Sequence, residues 1–142
     1  MQKSIKLSVI IYSLLICFFG SCKTQTSFDK IAFGKGGGFT GKYNDYLLDK
    51  DGTLFKKDPA KNSWVKLKKI AGKELKELSQ TVADEKIISL NFNHPYNMSS
   101  YIEIRKDTII NRIIWGDAKN PPPQGVAVIF DQLMTQTALD KK

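Results

Sequence analysis

Apolar and polar positions alternate over short stretches of the chain. In residues 101–106, Ile102 and Ile104 alternate with Glu103 and Arg105, a pattern that predicts a half-buried antiparallel strand. Residues 106–107 predict a turn into a second strand over 108–115, where two Ile-Ile pairs interrupt the alternation. These pairs indicate a bulge or burial on both faces, and the two strands together form a predicted hairpin.

A second hairpin is predicted earlier in the chain. Its strands cover residues 43–48 and 53–57, and the turn between them, Asp49-Lys50-Asp51-Gly52, ends in a glycine that can adopt a positive φ. Two further short strands are predicted over residues 28–33 and 64–67. The first half of the chain is therefore expected to be mainly β.

Helical spacing appears in two places. Residues 73–83 carry a single apolar stripe of Leu75, Leu78 and Val82. The final helix follows three prolines and has a broader stripe, formed by Val126, Ile129, Phe130, Leu133, Met134 and Thr137. The order of strands, helix, strands and helix predicts an α+β domain, with an antiparallel sheet built from two hairpins and two helices packed on one face.

The chain begins with the pattern of an export signal. Lys3 and Lys6 precede the uncharged residues 7–19, a run too short to span a hydrocarbon core about 30 Å thick. Small residues directly before Cys22 resemble a bacterial lipoprotein box. The predicted division is a lipoprotein signal peptide over 1–21, a lipidated Cys22 with a short tether over 22–27, and a single α+β domain over 28–140.

The lipoprotein resemblance implies that Cys22 carries a diacylglyceryl thioether and an acylated amino terminus, of the palmitate type. Lys23 and the lack of an acidic run after it favour the outer membrane, facing the periplasm. Cys17 would be removed and Cys22 consumed, which leaves no thiol for a disulfide or for catalysis. The alternative is an unlipidated secreted protein in which Cys22 is an ordinary thiol.

Length and charge narrow the function classes. With 142 residues, 42% hydrophobic, the chain suits one globular domain and excludes a multidomain enzyme. Loss of residues 1–21 would lower the formal net charge from +8 to +6. The remaining positive charge is concentrated in a candidate basic patch. This patch would either bind anionic lipid or glycan or be a solvated face of the protein. The expected envelope location excludes nucleic acid as a partner. The residues of the patch are Lys56, Lys57, Lys66, Lys68 and Lys69.

The sequence contains few residues and motifs that could support catalysis. His94 is the single histidine, the chain has four glutamates, and the HExxH, CxxC, GxSxG and GxxxxGK[ST] motifs are absent. Residues 49–52 imitate the start of a calcium loop, but the glycine comes too early. We therefore expect no enzymatic activity, no metal and no cofactor.

The most unusual segment is the glycine-rich stretch over residues 34–41, which supplies the candidate binding residues Gly37, Gly38, Phe39, Thr40 and Gly41. A strand is predicted after it, which disfavours a phosphate-binding loop, because such a loop opens a helix. Two interpretations remain. Either Phe39 anchors the core at a bulged strand end, or a flexible loop presents Phe39 to a partner.

Residues 37–41, together with Tyr101-Ile102-Glu103-Ile104 and Phe130-Asp131-Gln132-Leu133, resemble the emfourin-like proteins, which are small bacterial inhibitors of thermolysin-type metalloproteases. The likeness runs from about Ile31 to Thr137, and it implies a protease partner for the Phe39 loop. The chain also resembles envelope lipoproteins in which a glycine-rich opening precedes a Tyr-x-Leu-x-x-Asp-Gly hairpin.

The expected function is that of a lipid-anchored cell-envelope binding module without catalytic activity. One alternative is an inhibitor of a thermolysin-type metalloprotease acting through Phe39, and the other is a basic surface protein for anionic lipid or glycan. The expected partners are thus a membrane, through the lipid anchor, and a protein. The oligomeric state stays open.

Overall fold

The computed structural model describes residues 26–138, which form seven strands and two helices. The strands are β1 (Lys30–Gly37), β2 (Lys42–Asp49), β3 (Thr53–Asp58), β4 (Ser63–Lys69), β5 (Asn93–His94), β6 (Met98–Lys106) and β7 (Ile109–Trp115), and the helices are α1 (Gly72–Asp84) and α2 (Gln124–Ala138). Short 3-10 turns occupy Gly38–Thr40 and Ile87–Ser89. The predicted α+β class is confirmed.

All seven strands lie in one sheet in the order β4-β3-β2-β1-β6-β7-β5. Every neighbouring pair is antiparallel except β5 and β7, which are parallel. The prediction of a purely antiparallel sheet from two hairpins is therefore wrong in its details. The chain after α1 returns alongside β7 before it enters β6, and the two-residue β5 pairs in parallel on that return path.

The glycine-rich stretch continues β1, which was predicted to end at residue 33. The ladder with β2 and β6 runs without a register shift from Lys30 to Gly37, so the predicted bulged strand end is wrong. Close approach of the neighbouring backbone explains why glycine is needed here. A Cβ on Gly36 would lie 2.5 Å from the Tyr43 Cα.

The bulge predicted in the last strand is also absent. The β6–β7 ladder is continuous from Ser100 to Lys106, and the register shift of the sheet lies between Leu54 and Phe55 in the β3–β4 pair. The two Ile-Ile pairs of β7 differ instead in exposure: Ile113 is buried and Ile114 half-buried, while the earlier pair is exposed.

The core lies between one face of the sheet and both helices. Its buried cluster includes Leu75, Leu78 and Val82 from α1, and Val126, Ile129, Phe130 and Leu133 from α2, with Met134 packed against it. The predicted apolar stripes of both helices are confirmed. The sheet supplies Ile31, Phe33, Leu48, Leu54, Ile102, Ile104 and Ile113 to the same cluster, and the other sheet face carries no helix of the described chain.

The first described residues are bound to the domain. Thr26 is buried, and Ser27 donates its N–H to the Ser79 Oγ and its hydroxyl to the Ser79 carbonyl, both at 2.7 Å. Of the predicted tether over 22–27, the last two residues are thus held against the folded domain. Cys22, the predicted signal peptide and the end of the predicted domain at residue 140 lie outside the described residues.

Candidate functional site

The hairpin that joins β1 to β2 ends in an exposed phenylalanine. Residues Gly38–Thr40 form a single 3-10 turn, closed by the Gly41 N–H, which donates to the Gly38 carbonyl at 3.1 Å. The Phe39 side chain is fully exposed, at 108% of its reference accessibility. The interpretation in which Phe39 anchors the core is therefore wrong, and the geometry is that of a hairpin tip presenting an aromatic ring to solvent.

The backbone at this tip requires glycine. Gly37 has φ 108° and ψ −139°, a region that is open essentially to glycine alone, and Gly38 has φ 68°. A Cβ on Gly37 would also lie 2.6 Å from the Asn97 carbonyl oxygen, which accepts a hydrogen bond from the Gly38 N–H. The turn is thus held against the segment that leads into β6.

Two further apolar side chains lie at the same end of the sheet. Met98 pairs with Gly37 across the β1–β6 ladder, and a Cβ on Gly38 would lie 3.2 Å from the Met98 sulfur. Met98 and Tyr96 are both exposed, and Tyr96 is fixed by hydrogen bonds in which its N–H donates to the Ser99 Oγ and its carbonyl accepts from it. We define the Phe39 tip as residues 37–41 with Tyr96 and Met98.

Tyr96 and Met98 are not among the binding residues predicted from the sequence. Both lie in a stretch of small polar residues with no periodicity, and only the pairing of β1 with β6 brings them to the tip. Nothing in the local sequence signals that pairing.

Behind the tip, the helix-free face of the sheet holds a buried tyrosine. Tyr101 is 5% exposed, and its hydroxyl donates to the Asp45 carboxylate at 2.7 Å. Its ring lies over the backbone of Gly34, where a Cβ would stand 3.0 Å from it, while the Arg112 guanidinium lies 4.0 Å from the ring centroid. Burial raises the pKa of Tyr101, and the hydrogen bond to Asp45 raises it further.

The charges around Tyr101 are matched within the sheet. The Glu103 carboxylate accepts hydrogen bonds from Arg105, at 2.6 Å and 2.9 Å, and from Arg112 at 3.5 Å. The Arg112 contact ties β6 to β7, the Arg105 contacts lie within β6, and the Tyr101–Asp45 bond ties β6 to β2 across β1. The network therefore stiffens the strands that carry the Phe39 tip.

The five lysines of the predicted basic patch do not share one face. In the β3–β4 ladder Lys57 is opposite Trp64 and Lys66 opposite Phe55, which places both on the helix-free side. Lys56 and Lys68 are at positions on the other side, and Lys69 forms an ion pair with Asp51 at 3.8 Å. The structure brings these residues to one edge hairpin and divides them between its two faces.

His94 is exposed on β5, with its ring centroid 4.7 Å from that of Phe92. The Asp117 carboxylate accepts hydrogen bonds from the Lys119 N–H and the Asn120 side chain, which hold its pKa below the usual value, and the His94 charge contributes less. Within residues 26–138, no group of three or more His, Cys, Asp and Glu residues is arranged to hold a metal ion.

A cavity of about 210 Å³ lies between the helices and the sheet. Its floor includes Leu54, Leu78 and Leu133, and Glu74 and Glu77 line it from α1. No candidate site residue predicted from the sequence lines this cavity, so it is separate from the Phe39 tip and from the lysines.

Comparison with known proteins found no family model that matches this chain and no similar curated protein. The likeness to the emfourin-like inhibitors therefore stays a prediction. No helix in the part of the chain that the structure describes has the length and apolar character needed to cross a bilayer.

Proposed function

We propose that this chain is a lipid-anchored binding module of the cell envelope, without catalytic activity, that engages a protein partner through the Phe39 tip. The observation that carries the proposal is the full exposure of Phe39 at the end of a continuous hairpin. Exposing a large aromatic ring serves no purpose in packing, whereas buried aromatic side chains dominate the energetics of protein interfaces.

The form of the tip supports binding. The positive φ values of Gly37 and Gly38 and the hydrogen bond to Asn97 order the turn before any partner arrives. Less conformational entropy is then lost on association. We expect Phe39→Ala to weaken binding by about 30-fold, since a central aromatic contact contributes about 2 kcal/mol or more.

The proposed anchor is the thioether-linked lipid on Cys22, in the outer membrane and facing the periplasm, supported by the lipoprotein-like segment before that cysteine. Labelled fatty acid should be incorporated into the wild-type chain and not into Cys22→Ser, and only the wild type should partition with membranes. Membrane partitioning of Cys22→Ser, without label in the wild type, would contradict the anchor. Removal of the domain by protease added to intact cells would contradict the periplasmic orientation.

A second candidate function is inhibition of a thermolysin-type metalloprotease. The exposure of Phe39 favours it, because such clefts accept a large apolar side chain beside the scissile bond and an ordered hairpin resists cleavage. The folded domain should slow a thermolysin-type enzyme at micromolar concentration, Phe39→Ala should lose most of that effect, and Val128→Ala, an exposed change on α2, should keep it. No inhibition by the folded wild type would remove this candidate.

A further inference from the structure

Two exposed isoleucines begin β7, directly after the turn that joins it to β6. Ile109 and Ile110 are 53% and 61% exposed, whereas Ile102, Ile104 and Ile113 of the same two strands are fully buried. Adjacent strand residues point to opposite faces, so this corner of the sheet is apolar on both sides. Within the described chain, the outer edge of β7 is unpaired at Ile109 and Ile110 and is covered further along, since β5 pairs with Ile114 and Trp115 and the Asn111 side chain donates to the Ile87 and Leu90 carbonyls. An exposed apolar edge is a liability unless something covers it.

The same turn lies beside the place where the chain enters the domain. The Lys106 ammonium donates to the Thr26 carbonyl at 3.0 Å, and the Asp107 N–H donates to the Asp29 carboxylate at 2.7 Å. The Asp29 N–H in turn donates to the Arg105 carbonyl at 2.8 Å. The first described residues are therefore fixed against the β6–β7 turn.

Thr26 is the fourth residue after Cys22. Four residues span at most about 14 Å even when fully extended. A lipid on Cys22 would thus keep the β6–β7 turn within a short distance of the bilayer surface. The proposed lipid would therefore lie close to Ile109 and Ile110 without the need for a further partner.

We propose that Ile109 and Ile110 insert into the interfacial region of the bilayer and orient the anchored domain; this inference rests on the proposed lipid anchor. Exposed Lys30 lies at the same end of the sheet and suits phosphate headgroups, as does Lys50, whose ammonium also forms an ion pair with Asp29 at 3.4 Å. Because the anchor makes the contact intramolecular, weak insertion is enough to select one orientation.

This orientation directs the Phe39 tip away from the membrane. Lys30 begins β1 at the turn end and Gly37 ends it at the tip. The seven steps between them cover about 23 Å at about 3.3 Å per residue. The anchor and the Phe39 tip are thus at opposite ends of the central strand, and the tip would face a partner that is not in the bilayer.

The test uses the chain from Cys22 to Lys142, which contains the whole described core and whose single thiol is Cys22. Coupling Cys22 to a maleimide-bearing lipid attaches the anchor chemically, so the result does not depend on acylation in cells. Acylation in cells is measured separately by fatty-acid labelling. The vesicles contain roughly three parts phosphatidylethanolamine to one part phosphatidylglycerol, with brominated acyl chains as the fluorescence quencher. The probes are Ile110→Trp and, at the opposite end, Phe39→Trp, each compared with the unsubstituted chain.

We expect the added fluorescence of Ile110→Trp to fall at least twofold on brominated vesicles, and that of Phe39→Trp to remain unchanged. Thr108→Trp should be quenched as well, and should lose the quenching when Ile109→Ser and Ile110→Ser are introduced together. Absence of quenching at position 110 would overturn the proposal. This is the result expected if a second copy of the chain, and not lipid, covers this edge. Equal quenching at position 39, or quenching at 108 that survives the two serine substitutions, would also overturn the proposal.

Discussion

Phe33 lies in β1 and Phe39 lies in the turn that follows it. Truncation of these two side chains should nevertheless have different effects on the free energy of unfolding. Phe33 is fully buried, stacks on Tyr46 with ring centroids 5.4 Å apart, and pairs with Ile102 across the β1–β6 ladder. Phe33→Ala removes a complete core side chain and should cost about 3–5 kcal/mol. Phe39 has no burial to lose, so Phe39→Ala should change the free energy of unfolding by about 0.5 kcal/mol or less.

The assay is guanidinium chloride unfolding of the chain from residue 22 onward carrying Cys22→Ser. Trp115 is a suitable fluorescent reporter, because it is half-buried and packs edge-on against Phe130 with centroids 5.0 Å apart. For a domain of this size the Phe33→Ala cost corresponds to a fall in Tm of about 12–20 °C. A loss of about 2 kcal/mol or more in Phe39→Ala would refute the claim that the tip is free of the core.

Three further predictions concern the Phe39 tip, the strands behind it and the turn at the opposite end of the sheet. Gly37→Ala should destabilise the domain by about 1–3 kcal/mol, because φ is positive and a Cβ would meet the Asn97 carbonyl, whereas Gly72→Ala at an open position should not; denaturant midpoints compare them. Tyr101→Phe should cost about 1–2 kcal/mol near neutral pH by removing the hydrogen bond to Asp45. The pKa of Tyr101 is raised in the folded state, so above about pH 10 the unfolded chain releases the Tyr101 proton before the folded chain does. The wild type should therefore lose stability as the pH rises above about 10. Tyr101→Phe should lose less stability in an alkaline series of unfolding curves. The hydrogen bond from the Asp107 N–H lowers the pKa of Asp29. The stability contributed by that carboxylate is therefore present above its ordinary pKa and lost as pH falls below it. In unfolding curves measured at acidic pH, Asp29→Asn should reduce the dependence of stability on pH, and an unchanged dependence would contradict this assignment.

Local patterns predicted the helices and most strands well. Buried side chains recur every three to four residues in a helix and every two residues in a half-buried strand. The sequence shows the first spacing in α1 and α2 and the second in β6. The same reasoning predicted the turn at residues 49–52, where Gly52 has φ 86°.

The failures all depend on contacts between distant segments. Residues 34–37 carry only the side chain of Lys35, so no alternation marks them, and their place in β1 follows from the backbones of β2 and β6 on either side. The same pairing brings Met98 to the Phe39 tip and Gly34 beneath Tyr101. For Phe39, hydrophobicity alone favoured the core, and the positive φ at Gly37 and Gly38 decided against it.

Site-specific photo-cross-linking in intact cells tests most directly whether the Phe39 tip is a protein-binding element. A benzophenone side chain placed at position 39 keeps an aromatic ring at the tip, and the same side chain at Val128, exposed on α2, is the control. We expect a discrete protein adduct from position 39 that is absent from position 128 and weakened by Met98→Ser in the same chain. Adducts of equal yield at both positions, or adducts only with lipid at position 39, would contradict it.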